Sequence, residues 1–299
     1  MKVRVGFGLG TLGATADAGT FAALVDALEG LRFDSLWLSE RATGPALDPL
    51  VALSVAAGRT SRLKLGTSVQ VLPGRNPVLL AKAWASLDVC SGGRALPAFG
   101  LGVVDPVEQQ AFGVERTERA SRFDETLHVM RRLWTEPTIE HHGTWFDYDG
   151  VGIGIRPVQQ PPDVWLGGRA PAELRRVGRL ADGWLPSFTT PVAADTGRAT
   201  VVEAATAAGR SIDPEHWGAL VAYVPAALPD GLVRMLEQRF PGVDPAEAVP
   251  VGHDALRRTL EGFIAVGFTK LVPVPFGTTI DDWDSELTAL AAATLDLQT

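Results

Sequence analysis

Short apolar runs and amphipathic stretches follow one another along this chain in a regular order. Residues 63–102 show the order most clearly: an apolar run over 63–69, helically spaced apolar positions between 79 and 87, and a second apolar run over 95–101. Apolar residues three or four positions apart indicate one buried face of a helix, and short apolar runs bounded by turn residues indicate buried strands. The stretch therefore predicts a strand, a crossover helix and a parallel strand.

The same order recurs from end to end. Strands are predicted at 3–8, 35–39, 63–69, 95–101, 164–166, 183–186, 217–224 and 270–274. Helices are predicted at 21–31, 50–57, 79–87, 119–134, 170–180, 191–208, 254–266 and 280–295. This α/β alternation predicts a (β/α)8 TIM barrel, with an open doubly wound sheet as the competing architecture.

The barrel is expected to be a single domain over residues 1–299 with three insertions, at about 103–118, 138–162 and 225–250. The first insertion is interpreted as a loop, the second as a short hairpin with a Pro-rich connector, and the third as irregular. In this architecture the loops after the strands form the substrate pocket, so the insertions are expected to determine which substrate binds.

Composition narrows the classes of protein. Hydrophobic residues make up 46% and charged residues 21%, which is typical of soluble globular proteins, and the net charge of -8 argues against a nucleic-acid partner. No apolar stretch approaches the roughly 20 residues that span a bilayer, and the N-terminus has the pattern of a strand rather than of a signal peptide. We therefore expect a cytoplasmic protein without a membrane partner. The single cysteine, Cys90, excludes internal disulfides and is expected to be buried.

One glycine motif suggests a different fold. Gly8, Gly10 and Gly13 form G-x-G-x-x-G directly after the first strand, and the acidic residue Glu40 ends the second strand. This is the pattern of an NAD(P)-binding Rossmann oxidoreductase. However, the predicted helix begins several residues after Gly13, and Glu40 lies further along than the usual spacing of about 20 residues. A glycine-rich loop at a barrel mouth is the preferred interpretation.

Four segments in register carry a family resemblance: SLWLSER (35–41), LGTSVQVLPGRNPVLLAKAWASLDVCSGGR (65–94), ERASRFDETLHVMRRLW (118–134) and VWLGGRAPAELRRVGRLADGWLPS (164–187). Together they resemble the luciferase-like monooxygenase superfamily. They are most similar to members that use the deazaflavin coenzyme F420, and relatives with nearly the same strands use FMN. The resemblance implies a TIM barrel that carries a flavin-type ring at the carboxyl ends of its strands, and it implies a homodimer.

The resemblance also implies which residues contact the cofactor. It places a non-prolyl cis peptide at Ser68–Val69, behind the ring, where small side chains leave room for the ring. It places phosphate contacts where a Gly-Gly-Arg segment precedes a helix, because backbone N–H groups at a helix N-terminus bind anions. The implied cofactor contacts are Thr67, Ser68, Val69, Gly102, Gly167, Gly168, Arg169 and Ser187.

Glu40 and Arg41 depart from the family pattern, which commonly has Asp-His after the second strand. Arginine does not serve as a general base at ordinary pH, so Arg41 is expected to hold an anionic ring or substrate. We predict Glu40 and Arg41 as catalytic residues; alternatively, the two side chains simply pair with each other. Glu108 follows in the first insertion and is expected to be an exposed charge.

The sequence thus favours an F420-dependent oxidoreductase that transfers hydride to or from a small organic substrate. The alternatives are an FMN-dependent monooxygenase of the same fold, an NAD(P)-binding Rossmann enzyme and a non-catalytic deazaflavin-binding protein. We expect no metal: His141 and His142 are adjacent, so in a strand their side chains point to opposite faces, and no third ligand is suitably spaced.

Overall fold

The computed structural model describes residues 2–11, 17–239, 244–276, 280 and 282–299, in which short strands alternate with longer helices. The strands are β1 (Arg4–Val5), β2 (Phe7–Leu9), β3 (Ser35–Leu38), β4 (Lys64–Thr67), β5 (Gln70–Val71), β6 (Ala95–Leu96), β7 (Ala98–Gly100), β8 (Ile139–His142), β9 (Asp147–Val151), β10 (Trp165–Leu166), β11 (Gly183–Trp184), β12 (Gly218–Tyr223) and β13 (Lys270–Pro275). The helices are α1 (Ala18–Leu31), α2 (Pro49–Arg59), α3 (Pro77–Ser91), α4 (Pro106–Phe112), α5 (Arg119–Thr135), α6 (Pro171–Leu180), α7 (Pro191–Ala207), α8 (Asp230–Arg239), α9 (Pro245–Ala248), α10 (His253–Ala265) and α11 (Trp283–Thr294), followed by a 3-10 turn at Leu295–Leu297.

Parallel pairing leads around a ring of strands in chain order. Two predicted strands are each divided in two, as β1 with β2 and β6 with β7, and the third predicted strand, β4, is followed after a break by β5. β2 pairs with β3, β3 with β4, β4 with β6, β5 with β7, β7 with β10, and β10 with β11. Bridges from Trp184 to Trp217 and from Ser187 to Leu220 lead to β12, which pairs with β13, and β13 pairs with β1. The predicted TIM-barrel architecture is confirmed.

The Rossmann alternative is wrong, because the first strand has the second and the last strand as its neighbours. A Rossmann sheet would place the first strand between the second and the fourth. Gly8 instead serves packing inside the barrel, since a Cβ there would lie 2.6 Å from Val274 Cγ2. Gly13 lies outside the described residues.

Two of the three insertions contain more regular structure than predicted. The segment 103–118 contains α4, whose N-terminus is capped by the side chain of Asp105, and 225–250 contains α8 and α9. The segment 138–162 forms the expected hairpin from the antiparallel strands β8 and β9. α4 was missed because its seven residues are too few to show a helical period.

The expectation that Cys90 is buried is wrong, because its side chain is exposed. The buried face of α3 runs through Leu80, Trp84, Leu87 and Ser91. Cys90 comes one residue before Ser91, which turns it about 100° away from that face. Its apolar neighbour Val89 is also exposed, at 41%, so apolar character does not mark the buried face at this end of α3.

Most buried side chains form two layers around the strands, and a smaller third cluster packs β12 against α8. One cluster fills the barrel interior, and a larger one lies between the strands and the surrounding helices. None of the described helices combines the length and the apolar character that crossing a membrane requires. The interior cluster consists of Trp37, Leu96, Ala98, Trp165, Leu185, Leu220, Val272 and Val274.

Helices α6 and α7 approach closely at Gly178. A Cβ at this position would lie 2.5 Å from Val201 O and 2.7 Å from Ala205 N. We expect Gly178→Ala to destabilise the protein by about 1–3 kcal/mol, because the helices must separate to admit the methyl group. Gly58→Ala in α2 is the matched control: no atom lies within 4 Å of its Cβ position, so it should stabilise by about 0.5–1 kcal/mol. Urea unfolding followed by circular dichroism measures both, and equal effects would contradict this account of the packing.

Candidate functional site

A cavity of about 310 Å³ opens at the carboxyl ends of the barrel strands. Ligand sites of α/β barrels lie at this end, because the loops that follow the strands converge there. Its wall is formed by Thr11, Ser39, Glu40, Arg41, Ser68, Val69, Val71, Phe99, Gly100, Leu101, Gly102, Val103, Glu108, Phe123, Leu166, Gly167, Gly168, Glu173 and Arg176.

A break between β4 and β5 forms one side of this cavity. The peptide bond between Ser68 and Val69 is cis, as the resemblance implied, and the Ser39 hydroxyl donates to the Ser68 carbonyl oxygen over 3.0 Å. A Cβ at Gly100 would lie 2.5 Å from Val69 Cγ2, and a Cβ at Gly167 would lie 3.2 Å from Val69 Cγ1. A side chain at Gly100 would therefore displace Val69, and one at Gly167 would press against it. We call the segment Ser68–Val69 with Gly100 and Gly167 the bulge wall.

Glu40 supports the bulge wall from behind. One carboxylate oxygen accepts the Val71 N–H at 2.7 Å, and the other pairs with the Arg75 guanidinium. The alternative that Glu40 pairs with Arg41 is therefore wrong. Burial raises the pKa of Glu40, although the charge of Arg75 and the Val71 N–H act in the opposite direction.

Arg41 lines the same cavity but belongs to a different ion-pair network. Its Nη2 lies 3.1 Å from Asp105 Oδ2, and its Nε lies 3.5 Å from Glu108 Oε1. The Glu108 carboxylate also accepts the N–H groups of Ala42 at 3.2 Å and Thr43 at 2.9 Å. Burial raises the pKa of Glu108, but hydrogen bonds from Thr43 and Ala42 outweigh it and hold that pKa below its usual value. The expectation of an exposed Glu108 is wrong, since only 2% of this residue is accessible.

The start of α6 carries its own carboxylate. Glu173 Oε2 accepts the backbone N–H groups of Arg169 at 2.8 Å and Ala170 at 2.9 Å. Gly168 has a φ of 101°, and a Cβ there would lie 2.8 Å from the same Oε2. The two N–H groups that were expected to meet a phosphate thus donate to a side chain of the protein itself.

The structure brings seven of the ten predicted site residues together on the cavity wall: Glu40, Arg41, Ser68, Val69, Gly102, Gly167 and Gly168. Thr67 is fully buried, and its hydroxyl donates to Ala98 O at 2.6 Å and accepts from Ala98 N at 3.0 Å. Arg169 Nη1 donates to the carbonyl oxygen of Phe188 at 2.7 Å, and Ser187 forms a parallel bridge with Leu220. Thr67, Arg169 and Ser187 are not among the residues that line the described cavity.

Among the wall residues that were not predicted as site residues are Phe123, Glu173 and Arg176. Arg176 Nε donates to Asp124 Oδ1 at 2.6 Å, so its guanidinium is held at the wall by α5. A sequence signal did exist for Glu173, because it comes three residues after the position that precedes α6, the spacing of a capping box. Arg176 follows three residues later and so lies on the same face of the helix.

Known proteins resemble this chain in sequence and in fold. The sequence profile described as luciferase-like monooxygenase matches residues 4–239. The chain belongs to the luciferase-like monooxygenase family. A phthiodiolone/phenolphthiodiolone dimycocerosates ketoreductase of Mycobacterium kansasii is 29% identical over 241 residues, which are 74% of this chain and 65% of that protein. An F420-dependent glucose-6-phosphate dehydrogenase of Kineococcus radiotolerans is 32% identical over 162 residues, 51% of this chain and 47% of that protein.

The chain spans less than two thirds of the length of both curated relatives. Among solved structures, an F420-dependent secondary alcohol dehydrogenase in complex with an F420-acetone adduct superposes with a TM-score of 0.82. The identity is 16% and the coverage is 100% of both chains. At this identity the superposition supports the fold alone, and the function has to be inferred from the residues of the cavity.

Proposed function

We propose that this chain is a coenzyme F420-dependent oxidoreductase that transfers hydride to or from a small organic molecule. The observation that carries the proposal is the bulge wall, a surface of small residues on one side of a cavity at the carboxyl ends of the strands. The relatives named as F420-dependent support the choice of cofactor. The deazaflavin would supply the hydride carrier, and the protein would bind and orient its ring and exclude water.

The cavity suits a flat aromatic ring. Its volume of about 310 Å³ lies at the lower end of the range of ligand pockets. Gly102 adjoins the bulge wall, has a φ of 81°, and would place a Cβ 3.1 Å from Val71 Cγ1. Side chains at Gly100, Gly102 or Gly167 would therefore displace the valines or narrow the space for the ring.

We assign different roles to the two predicted catalytic residues. Glu40 is a positioning residue, because both of its oxygens are used to hold Val71 and Arg75 behind the bulge wall. Arg41 is the group that would contact an anionic oxygen of the substrate or ring. Its guanidinium lines the cavity, and its buried Nε faces the Glu108 carboxylate at 3.5 Å without a hydrogen bond to any described residue.

The remaining expectations belong to the same proposal. A chain with a net charge of -8 is expected to act on a small molecule in the cytoplasm, without a nucleic-acid or membrane partner.

The family resemblance and an exposed apolar stripe together suggest a homodimer. Val51 and Val55 on α2 are 66% and 48% exposed, and Leu79 on the neighbouring helix α3 is 71% exposed.

Cofactor titration tests the proposal directly. Fluorescence quenching with F420 and FMN in parallel should give tight binding of F420, and Ser68→Trp should weaken that binding by more than about 100-fold because the indole fills the space beside the bulge wall. Ser211→Trp, on an exposed loop, is the control and should bind normally. Binding of FMN alone would favour a monooxygenase, and F420 binding without turnover of alcohols, aldehydes or imines would favour a carrier. Unchanged affinity in Ser68→Trp would contradict the assigned site.

The carboxylate at the start of α6 generates a second prediction. Glu173 accepts two N–H groups that a phosphate would use, so its charge should oppose a cofactor phosphate there. Glu173→Gln keeps an acceptor for both N–H groups and removes the charge. We expect it to tighten F420 binding on the order of tenfold, while the affinity for the same deazaflavin without its phosphate stays unchanged. Glu203→Gln, exposed on α7, is the charge-matched control. Equal changes for both ligands would mean that the phosphate binds elsewhere.

The homodimer proposal predicts a change in mass. Val51→Lys combined with Val55→Lys should convert the dimer to a monomer in light scattering, because two charges cannot be buried unpaired in an apolar interface. Val202→Lys on α7, at a position 47% exposed, is the matched control and should leave the mass unchanged. A wild-type monomer, or a double variant that stays dimeric, would contradict the assignment of this surface.

A further inference from the structure

A second cavity, of about 240 Å³, lies at the opposite end of the barrel. Four of its wall residues are the first residues of strands: Arg4 in β1, Lys64 in β4, Trp165 in β10 and Lys270 in β13. Because the barrel strands are parallel, their first residues meet at the amino end, away from the bulge wall. We call this space the amino-end cavity. The proposed oxidoreductase activity does not use it.

Positive charge is concentrated at the amino-end cavity. Lys270 Nζ lies 3.0 Å from Asp34 Oδ2, while Arg4 Nε and Lys64 Nζ lie 3.7 Å and 3.8 Å from Asp34 Oδ1. Three cations therefore surround one carboxylate, and Arg4 also donates through Nη1 to Thr299 O at 2.6 Å. Lys64 has no other ion pair among the described residues, and Lys270 is almost completely buried. A buried ammonium group is costly unless it has enough anionic partners.

Carboxylates on the wall do not cancel this charge. Asp163 and Glu215 also line the cavity, and Asp163 Oδ2 lies 3.6 Å from His216 Nε2. The cationic wall residues are Lys2, Arg4, Lys64, Arg94 and Lys270. Five cationic side chains thus line the cavity together with two carboxylates, and Asp34 is a third carboxylate beside it, in a chain whose net charge is -8.

The indole of Trp165 provides an independent observation. Five tryptophans are fully buried, and four of them donate their Nε1–H within the protein: Trp37 to Ser35 Oγ, Trp84 to Gln70 Oε1, Trp134 to Ala81 O and Trp184 to Gly168 O. Trp165 is 1% exposed and lines the amino-end cavity, yet its Nε1 has no acceptor among the described residues. Buried polar groups in proteins are almost always paired, so an isolated donor beside a cationic cavity calls for an acceptor.

We propose that the amino-end cavity binds a small phosphate-type oxyanion, held by Lys64, Lys270 and the Trp165 N–H. Ammonium and indole groups only donate hydrogen bonds, and a tetrahedral oxyanion presents only acceptors to them. Such a ligand satisfies the isolated donor and offsets the excess charge in one place. Either inorganic phosphate or the phosphate group of a small metabolite has this chemistry.

Titration with inorganic phosphate tests the proposal, read by calorimetry and by tryptophan fluorescence at an ionic strength held constant with chloride. We expect saturable binding that both Trp165→Phe and Lys64→Gln weaken by about three- to tenfold, the effect of losing one hydrogen bond. Arg175→Gln, exposed on α6 and absent from both cavity walls, removes the same charge and should bind phosphate normally. Because the Lys64 side chain is 43% exposed, Lys64→Gln should fold normally even if the buried Trp165→Phe variant does not.

Three results would overturn the proposal. The first is the absence of saturable binding, and the second is an effect that chloride reproduces. The third is a phosphate affinity that neither Lys64→Gln nor Trp165→Phe changes but Glu173→Gln does. That result would place the phosphate at the carboxyl end of the barrel. Binding of the metabolite phosphate is distinguished from that of inorganic phosphate by repeating the titration with a phosphate monoester such as glycerol phosphate.

Discussion

The carboxylate of Glu40 holds together the part of the barrel on which the candidate site depends. It joins the segment after β3 to the last residue of β5 through the Val71 N–H, and to the following turn through Arg75. β5 in turn pairs with β7, and β7 pairs with β10, so the position of Val69 against Gly100 and Gly167 rests on this contact. Removing one partner of a buried charge pair costs much more than removing a surface pair, which makes this connection hard to replace.

The two ends of the barrel differ in how their polar groups are satisfied. At the carboxyl end, Glu173 places an acceptor on N–H groups that a ligand would otherwise use. At the amino end, the Trp165 N–H has no acceptor among the described residues, and cationic side chains outnumber the carboxylates on the cavity wall. A hydrogen-bond partner within the protein reduces the free energy gained on binding a ligand, because the ligand must replace that partner. A buried donor without a partner increases this free energy. An oxyanion is therefore expected to gain more binding free energy in the amino-end cavity than at the start of α6.

Predictions from the sequence were correct where apolar residues recur at a regular spacing over many residues. The helical pattern of Phe123, Leu127, Met130 and Trp134 corresponds to the buried face of α5, and each predicted barrel strand is present. Short or mixed patterns were less informative. α4 has only seven residues, and Cys90 lies one position away from the buried face of α3. The family motifs located the bulge wall and the Gly-Gly turn, but not the acidic side chain that occupies the start of α6.

The sequence alone determined the order of strands and helices. Each element must bury one apolar face in the core, and the spacing of apolar residues that makes such a face is visible within a short stretch of sequence. It also determined that small residues follow the strands at the carboxyl end. Only the tertiary structure decided the partners of the charged groups. Glu40 pairs with Arg75 and not with its neighbour Arg41, and Lys270 pairs with Asp34 from the other end of the chain. Which side chains pair depends on distances that the barrel sets. These distances cannot be read from the spacing of residues along the chain.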